Sequence, residues 1–490
     1  MKFGENRGQT GEFPFSDYGF FDWKKGIHQS DPDFPRISRD ARENSMKTTK
    51  QIFAAALIAL LIGTAGVAES VKFTEHKLKN GLRIILSEDH SAPTYSISVT
   101  YNAGSRDERA GRTGFAHLFE HMMFQGSENV GKGEHFIIIE NNGGGMNGST
   151  SADRTEYHET LPANQVDLGL FLEADRMRSL VINQANLDNQ RATVQEEKRL
   201  RYDNQAYGRT FDTLFDTAYD NFAYKHSTIG SMEDLNAATV QDVAQFFKTY
   251  YAANNAVLSM VGDFKTNEVL AKIEKYFGNI PSQPAPPAPD MTEPKQTGER
   301  RKTIDDPLAQ LTRLDIAYKI PPSNTPDWYA LYVLGEILST GQSSRLYQKL
   351  VREKQVVLQA QAGEFERRGP DLFIGILMVA PGKDPAEVEK LFYEEIERLK
   401  NEPVTDAEIA KVRMAIKRGE VEQLEGTLYR ASELGKDAVF FNDPNVINTS
   451  NEKALGVTKD QIQKAARTYL TEANRTVITT VPKPRAGGAQ

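Results

Sequence analysis

The chain has 490 residues, with 59 Lys and Arg against 67 Asp and Glu, giving a net charge of −8. At 39% hydrophobic and 26% charged residues, it has a globular composition long enough for two or three domains, and it lacks the basic balance that a nucleic-acid partner requires. Cysteine is absent and all eight histidines lie between positions 28 and 226, so disulfides, thiolate metal sites and a cysteine nucleophile are excluded, and any histidine chemistry belongs to the first half.

Residues 46–68 carry a charged start (Lys47, Lys50), an apolar run through Leu57, Leu60, Leu61 and Ile62, and small residues at Gly66-Val67-Ala68. This is the pattern of a secretory signal, with the mature chain beginning near Glu69 and export to a bacterial periplasm expected. The apolar run is at the short limit for a membrane span, so membrane association is expected only if the segment is retained as an anchor. Residues 1–45 read as an over-extended or disordered N-terminus ahead of Met46, since their aromatics follow no period.

Tyr95–Tyr101 alternates as a strand, and Val166–Leu180 has the 3.6-residue period of a helix. Six prolines between Pro281 and Pro294 mark a linker, taken as 281–300, between a half at 69–280 and a half at 301–482, with a tail at 483–490. The halves echo one another. Lys248-Thr-Tyr250 with Asn255 recurs as Arg467-Thr-Tyr469 with Asn474, a shift of 219 residues, and Ile97–Tyr101 corresponds to Leu314–Tyr318, a shift of 217. Nearly equal shifts at both ends predict an α+β fold of two homologous halves made by internal duplication.

Gly114–Phe124, which reads Gly-Phe-Ala-His117-Leu-Phe-Glu120-His121-Met-Met-Phe, is apolar almost all round and reads as a buried helix. His117, Glu120 and His121 share one arc of about 100° on that helix. Burying them unpartnered would cost several kcal/mol, which a divalent cation offsets. Imidazoles at i and i+4 suit zinc, and the intervening Glu reaches metal-bound water, an inverted form of the His-Glu-x-x-His motif. A third ligand is still needed, and a carboxylate suits best, because the other histidines show no second paired spacing. A helix capped at Asp188 would place Leu187, Gln190, Val194, Glu197 and Arg201 on one face. Glu197 is then either that ligand or a solvated residue of a charged helix.

His117-x-x-Glu120-His121, with Glu197 following 76 residues after His121, resembles the pitrilysin family of inverzincin metallopeptidases. The resemblance extends through Gly111–His117, Gly143–Tyr157, Pro326-Asp327, Ser344-Arg345-Leu346 and Arg352-Glu353-Lys354, from about Val71 to Pro482. It implies two homologous halves facing each other, one Zn2+ held in the first by His117, His121 and Glu197, and hydrolysis of peptides or unfolded polypeptides. Glu120 would act as general base on the zinc-activated water. It further implies that Met146–Ala152 is an edge strand that takes an extended peptide, with Asn147 as a substrate contact. Gln190 stands where many members have Glu, as a residue supporting the ligands. Members often complete the site with an Arg and a Tyr seven residues apart; here Arg352 is followed by Gln359, so a homologous zinc-less partner subunit, or a homodimer, is expected to supply the pair. The competing reading is a catalytically silent scaffold or binding subunit of the same family.

Overall fold

The computed structural model describes residues 70–483. The expected signal segment 46–68, residues 1–45 and the tail beyond Lys483 lie outside the described residues.

Two sheets organise the chain. The first comprises β1 (Thr74–Lys77), β2 (Arg83–Glu88), β3 (Thr94–Tyr101), β4 (Gly145–Thr150), β5 (Thr155–Pro162) and β6 (Ala256–Gly262), in the spatial order β1-β2-β6-β3-β5-β4. The second comprises β7 (Arg300–Asp306), β8 (Arg313–Ile320), β9 (Val357–Glu364), β10 (Asp371–Val379) and β11 (Arg475–Pro482), in the order β7-β11-β8-β10-β9. Apart from β1, the orders are the same, with β2 parallel to β6 as β7 is to β11, and antiparallel pairing elsewhere. The repeated asparagines also do the same work. The Asn255 side chain donates to the carbonyls of Tyr250 and Asn102, and that of Asn474 donates to those of Tyr469 and Lys319. Between Ile280 and Glu299 the chain forms neither helix nor strand, as its prolines dictate.

The alternation of β3 sorts the faces of the first sheet. Tyr95, Ile97, Val99 and Tyr101 pack into the main core with α1 (Phe115–Met122), α3 (Val166–Ser179) and α6 (Val240–Tyr250), while α2 (Glu134–Asn141) lies against β4. Ser96, Ser98 and Thr100 face the other way. That second face is covered by α7 (Thr427–Phe440), which comes from the other half of the sequence; a Cβ on its Gly435 would lie 2.6 Å from Thr100 Oγ1, so the close approach requires glycine. The reciprocal helix, α5 (Thr210–Ala218), lays Leu214, Phe215 and Ala218 on Ala317, Leu372, Ile374 and Ile478 of the second sheet. The halves therefore do not merely face each other, as the resemblance implied; each covers one side of the other's sheet.

Candidate metal centre

Helix α1 begins abruptly. Gly114 adopts φ 84° and a Cβ there would lie 2.6 Å from the Ile229 carbonyl, so the entry turn needs glycine. With no side-chain cap on Gly114 itself, the free N–H groups of Gly114 and Ala116 donate to the two oxygens of buried Glu108, at 2.9 and 2.7 Å. Leu118, Phe119 and Met122 anchor the helix in the core, which leaves His117, Glu120 and His121 on its partly open side.

The expected second helix forms as α4 (Gln184–Lys198), but it starts earlier than read from sequence. Asn183, not Asp188, is the cap, its side chain accepting from Asn186 N–H, while Asp188 lies within the helix and accepts from Gln184 and Arg191. Leu187, Gln190 and Val194 are buried on the face toward α1. One turn on, Glu197 reaches the histidines: its Oε2 lies 3.7 Å from His117 Nε2 and 3.3 Å from His121 Nε2. The three residues offer one donor atom each within 4.8 Å of one another. Their side chains are 14, 22 and 19% exposed, so the cluster is reachable from one side.

The electrostatics suit a cation. Burial, then the neighbouring charge of His121, push His117 down to about 4, and Glu197 only partly offsets this. Burial also opposes a charged His121, but bonding to Glu197 and the charge of Glu120 raise it overall. Burial likewise opposes the Glu197 carboxylate, yet both imidazoles and Arg201, 3.3 Å away, hold it below the usual range. Two imidazoles sharing one carboxylate cannot both hold a proton cheaply, and neutral nitrogen donors beside a carboxylate are a zinc-type set. His117 Nδ1 has no hydrogen-bond partner among the described residues. A second convergence, of His135, Glu159 and Glu173, is fully buried, but Arg176 already pairs with Glu173 there and supplies the positive charge.

Glu120 points to β4, the outer strand of the first sheet. Thr150 Oγ1 donates to Glu120 Oε2 at 2.5 Å, and a Cβ on Gly148 would lie 3.1 Å from Glu120 Cγ. The strand spans Gly145–Thr150, starting one residue before and ending two residues before the expected Met146–Ala152, because Ser151–Arg154 form the turn to β5. Asn147 is exposed on this strand and accepts from Gly148 N–H. It pairs in register with His158, whereas Gly148 pairs with Tyr157, so strand alternation sends the Asn147 side chain to the face away from Glu120. Gln190 shares a hydrogen bond with His121. Arg352 and Gln359 are exposed in the second half, Gln359 on the outer strand β9. No hydrogen bond or ion pair among the described residues joins either to the His117–His121–Glu197 cluster.

Sequence reasoning missed Glu108 and Thr150. A carboxylate six residues ahead of a glycine-entered helix is a possible cap signal, but nothing local fixes its direction. Thr150 meets Glu120 only through the sheet.

Residues 83–231 match the model of Insulinase (Peptidase family M16), and residues 237–416 match that of the Peptidase M16 inactive domain. The chain belongs to peptidase family M16. It is 29% identical to Zinc protease PqqE of Helicobacter pylori over 428 residues, covering 86% of this chain and 96% of that one. It is 24% identical to Mitochondrial-processing peptidase subunit beta of Bos taurus over 413 residues, 83% of each chain. Among solved structures, a protease from Helicobacter pylori superposes with a TM-score of 0.81 at 29% identity, over 84% of this chain and all of that one. The first half of the periplasmic protease PqqL from Escherichia coli shares the fold, with a TM-score of 0.70 at 18% identity over 84% and 92% of the two chains. Among the described residues no helix is long and apolar enough to cross a membrane.

Proposed function

We propose that this chain is a zinc-dependent endopeptidase acting on peptides or unfolded polypeptides. The observation that carries the reading is the convergence of His117, His121 and Glu197, with Glu120 beside them against an outer strand. His117, His121 and Glu197 would hold one Zn2+, which when bound supplies Lewis acidity and lowers the pKa of a coordinated water toward about 7. Glu120 takes the proton of the attacking water and returns it to the departing amine. Thr150 orients the Glu120 carboxylate by donating to its Oε2. Gln190 orients His121. The free edge of β4 offers main-chain groups to which an extended peptide adds as a further strand, and Asn147 contacts it there.

The working unit is proposed to be an active subunit with a homologous zinc-less partner, or a homodimer. A relative named as subunit beta supports this, as does Gln359 where a phenol would help bind the oxyanion. Cleavage of the signal at 46–68, export to the periplasm, and division into halves at 69–280 and 301–482 joined by the 281–300 linker belong to the same reading. The scaffold alternative draws on the inactive-domain match, but that match covers only residues 237–416, and the metal-ligand set is complete outside it.

The test is turnover of fluorogenic unstructured peptides by the zinc-loaded chain, with Glu120→Gln as the blank. Zinc-dependent turnover lost in the blank, with zinc content kept, is expected; turnover retained by Glu120→Gln would reject the mechanism. Zinc binding without turnover would favour a missing partner or the scaffold.

A further inference from the structure

We propose that Asp153 is a positioning residue through which the second half holds the outer strand β4 against Glu120. The inference rests on the catalytic reading above for its kinetic arm only.

Asp153 lies in the turn between β4 and β5, three residues from Thr150, and is 2% exposed. Its Oδ1 accepts from Arg106 Nη1 at 2.8 Å and from the Tyr224 hydroxyl at 2.7 Å, and its Oδ2 accepts from the Arg368 backbone N–H at 3.2 Å. The Tyr224 hydroxyl in turn accepts from Gly369 N–H at 2.9 Å. Arg368 Nη1 also donates to Asn102 at the end of β3. Arg368 and Gly369 belong to the turn between β9 and β10, the repeat's counterpart of the turn between β4 and β5. The duplication thus brings two equivalent hairpin turns together, and Asp153 is the buried charge that joins them.

The same turn is gripped from its own half. Ser105 N–H and Arg106 N–H donate to the carbonyls of Ser151 and Ala152, and a Cβ on Gly104 would lie 2.4 Å from Ala152 O. An outer strand has a neighbour on one side only, so its position depends heavily on its ends. Here the end nearest the reacting groups is fixed by a charged network in addition to the packing of Ala152 on the apolar cluster around Tyr224 and Phe365. Charge-assisted hydrogen bonds are short and directional, which suits a strand that must present Thr150 to Glu120 within a fraction of an ångström. The second half, which contributes no residue to the His117–His121–Glu197 cluster, gains by this route a defined role in the first half's site.

The test uses the full zinc-loaded chain with two variants. Asp153→Asn keeps the shape but weakens the pairing with Arg106, and Tyr224→Phe removes only the hydroxyl that joins Asp153 to Gly369. Val412→Ala, a cavity variant in the second half's core, serves as a control for general loosening. We expect amide exchange across residues 148–155 to accelerate about tenfold or more in both variants, corresponding to a bond lost from the hairpin. We also expect kcat to fall by about 10- to 100-fold, as small misplacements near a reacting centre do, with zinc content unchanged. Should Asp153→Asn not fold, Tyr224→Phe carries the test alone. Hairpin exchange in Tyr224→Phe no faster than in Val412→Ala would overturn the proposal, as would faster exchange with undiminished kcat. If the parent chain alone cleaves no peptide, activity without a partner is ruled out, whereas the exchange measurement still decides whether Asp153 fixes the hairpin.

Discussion

Removing the Glu108 carboxylate should loosen the helix that carries His117 and His121 from its first turn. Its two oxygens accept from Gly114 and Ala116 N–H groups at 2.9 and 2.7 Å, and no other cap serves Gly114. Glu108→Ala leaves both N–H groups buried and unpaired, at roughly 1–3 kcal/mol each. The lost anion at a helix N-terminus adds up to about 2 kcal/mol in a buried setting. Part of this returns, because burial pushes the Glu108 carboxyl up against the two bonds that hold it charged, so a net loss of roughly 2–4 kcal/mol is expected. Glu108→Gln preserves the shape and one acceptor, and should cost about 1–3 kcal/mol for the remaining N–H. His117 is the third residue of α1, so the loosened turn also misplaces an expected ligand. Thermal melting should show Glu108→Ala below Glu108→Gln below the parent, and competition with a zinc chelator should show affinity at least about tenfold weaker for Glu108→Ala. A Glu108→Ala chain with the parent's melting curve and zinc affinity would refute the capping role.

His121→Ala or Glu197→Gln should abolish stoichiometric zinc by elemental analysis, while Gln190→Ala should weaken zinc affinity only about 10- to 100-fold; full zinc in either ligand variant would count against the assigned set. Asp371 is fully buried and pushed up to about 7 from an ordinary value of 3.8, chiefly by burial and in spite of Arg367. A carboxyl raised in the folded state contributes stability that is present below about pH 4 and lost as pH rises to about 7, here worth about 4 kcal/mol. Asp371→Asn, which can still accept from Trp328 Nε1, should flatten the fall in urea midpoint between pH 5 and 8; a fall as steep as the parent's would exclude Asp371 as its source.

Most of the site was legible because its signals are local. The i, i+4 histidines and the apolar face running Leu187, Gln190, Val194 and Glu197 each depend only on helical period, which held even though the cap of α4 lay five residues before the expected Asp188. The repeat was legible because Asn255 and Asn474 make the same two bonds. What escaped is what the sheets bring together from afar. Thr150 meets Glu120 across 30 residues, and Asp153 meets Arg368 across 215. The exchange of α5 and α7 also left no trace in periodicity, since an amphipathic helix announces its apolar face but not whose sheet it covers.

That exchange decides whether either half can stand alone. In residues 70–299 without the remainder, Ile85, Val257 and Val261 lose the cover of Ala431, Leu434, Ala438 and Ile447. Leu214 and Phe215 of α5 meanwhile lose the second sheet on which they are buried. Five large side chains returned to water at about 1.5–3 kcal/mol each amount to roughly 7–15 kcal/mol, which equals the entire stability of a typical domain. Residues 70–299 expressed alone should therefore show no cooperative melting and no stoichiometric zinc, and co-expression with 300–483 should restore both in a 1:1 complex. A monomeric 70–299 fragment that melts cooperatively and binds zinc would show that the exchanged helices are dispensable cover. In that case the second half's hold on the site would reduce to the hydrogen bonds that the Arg368–Gly369 turn makes to Asp153, Tyr224 and Asn102.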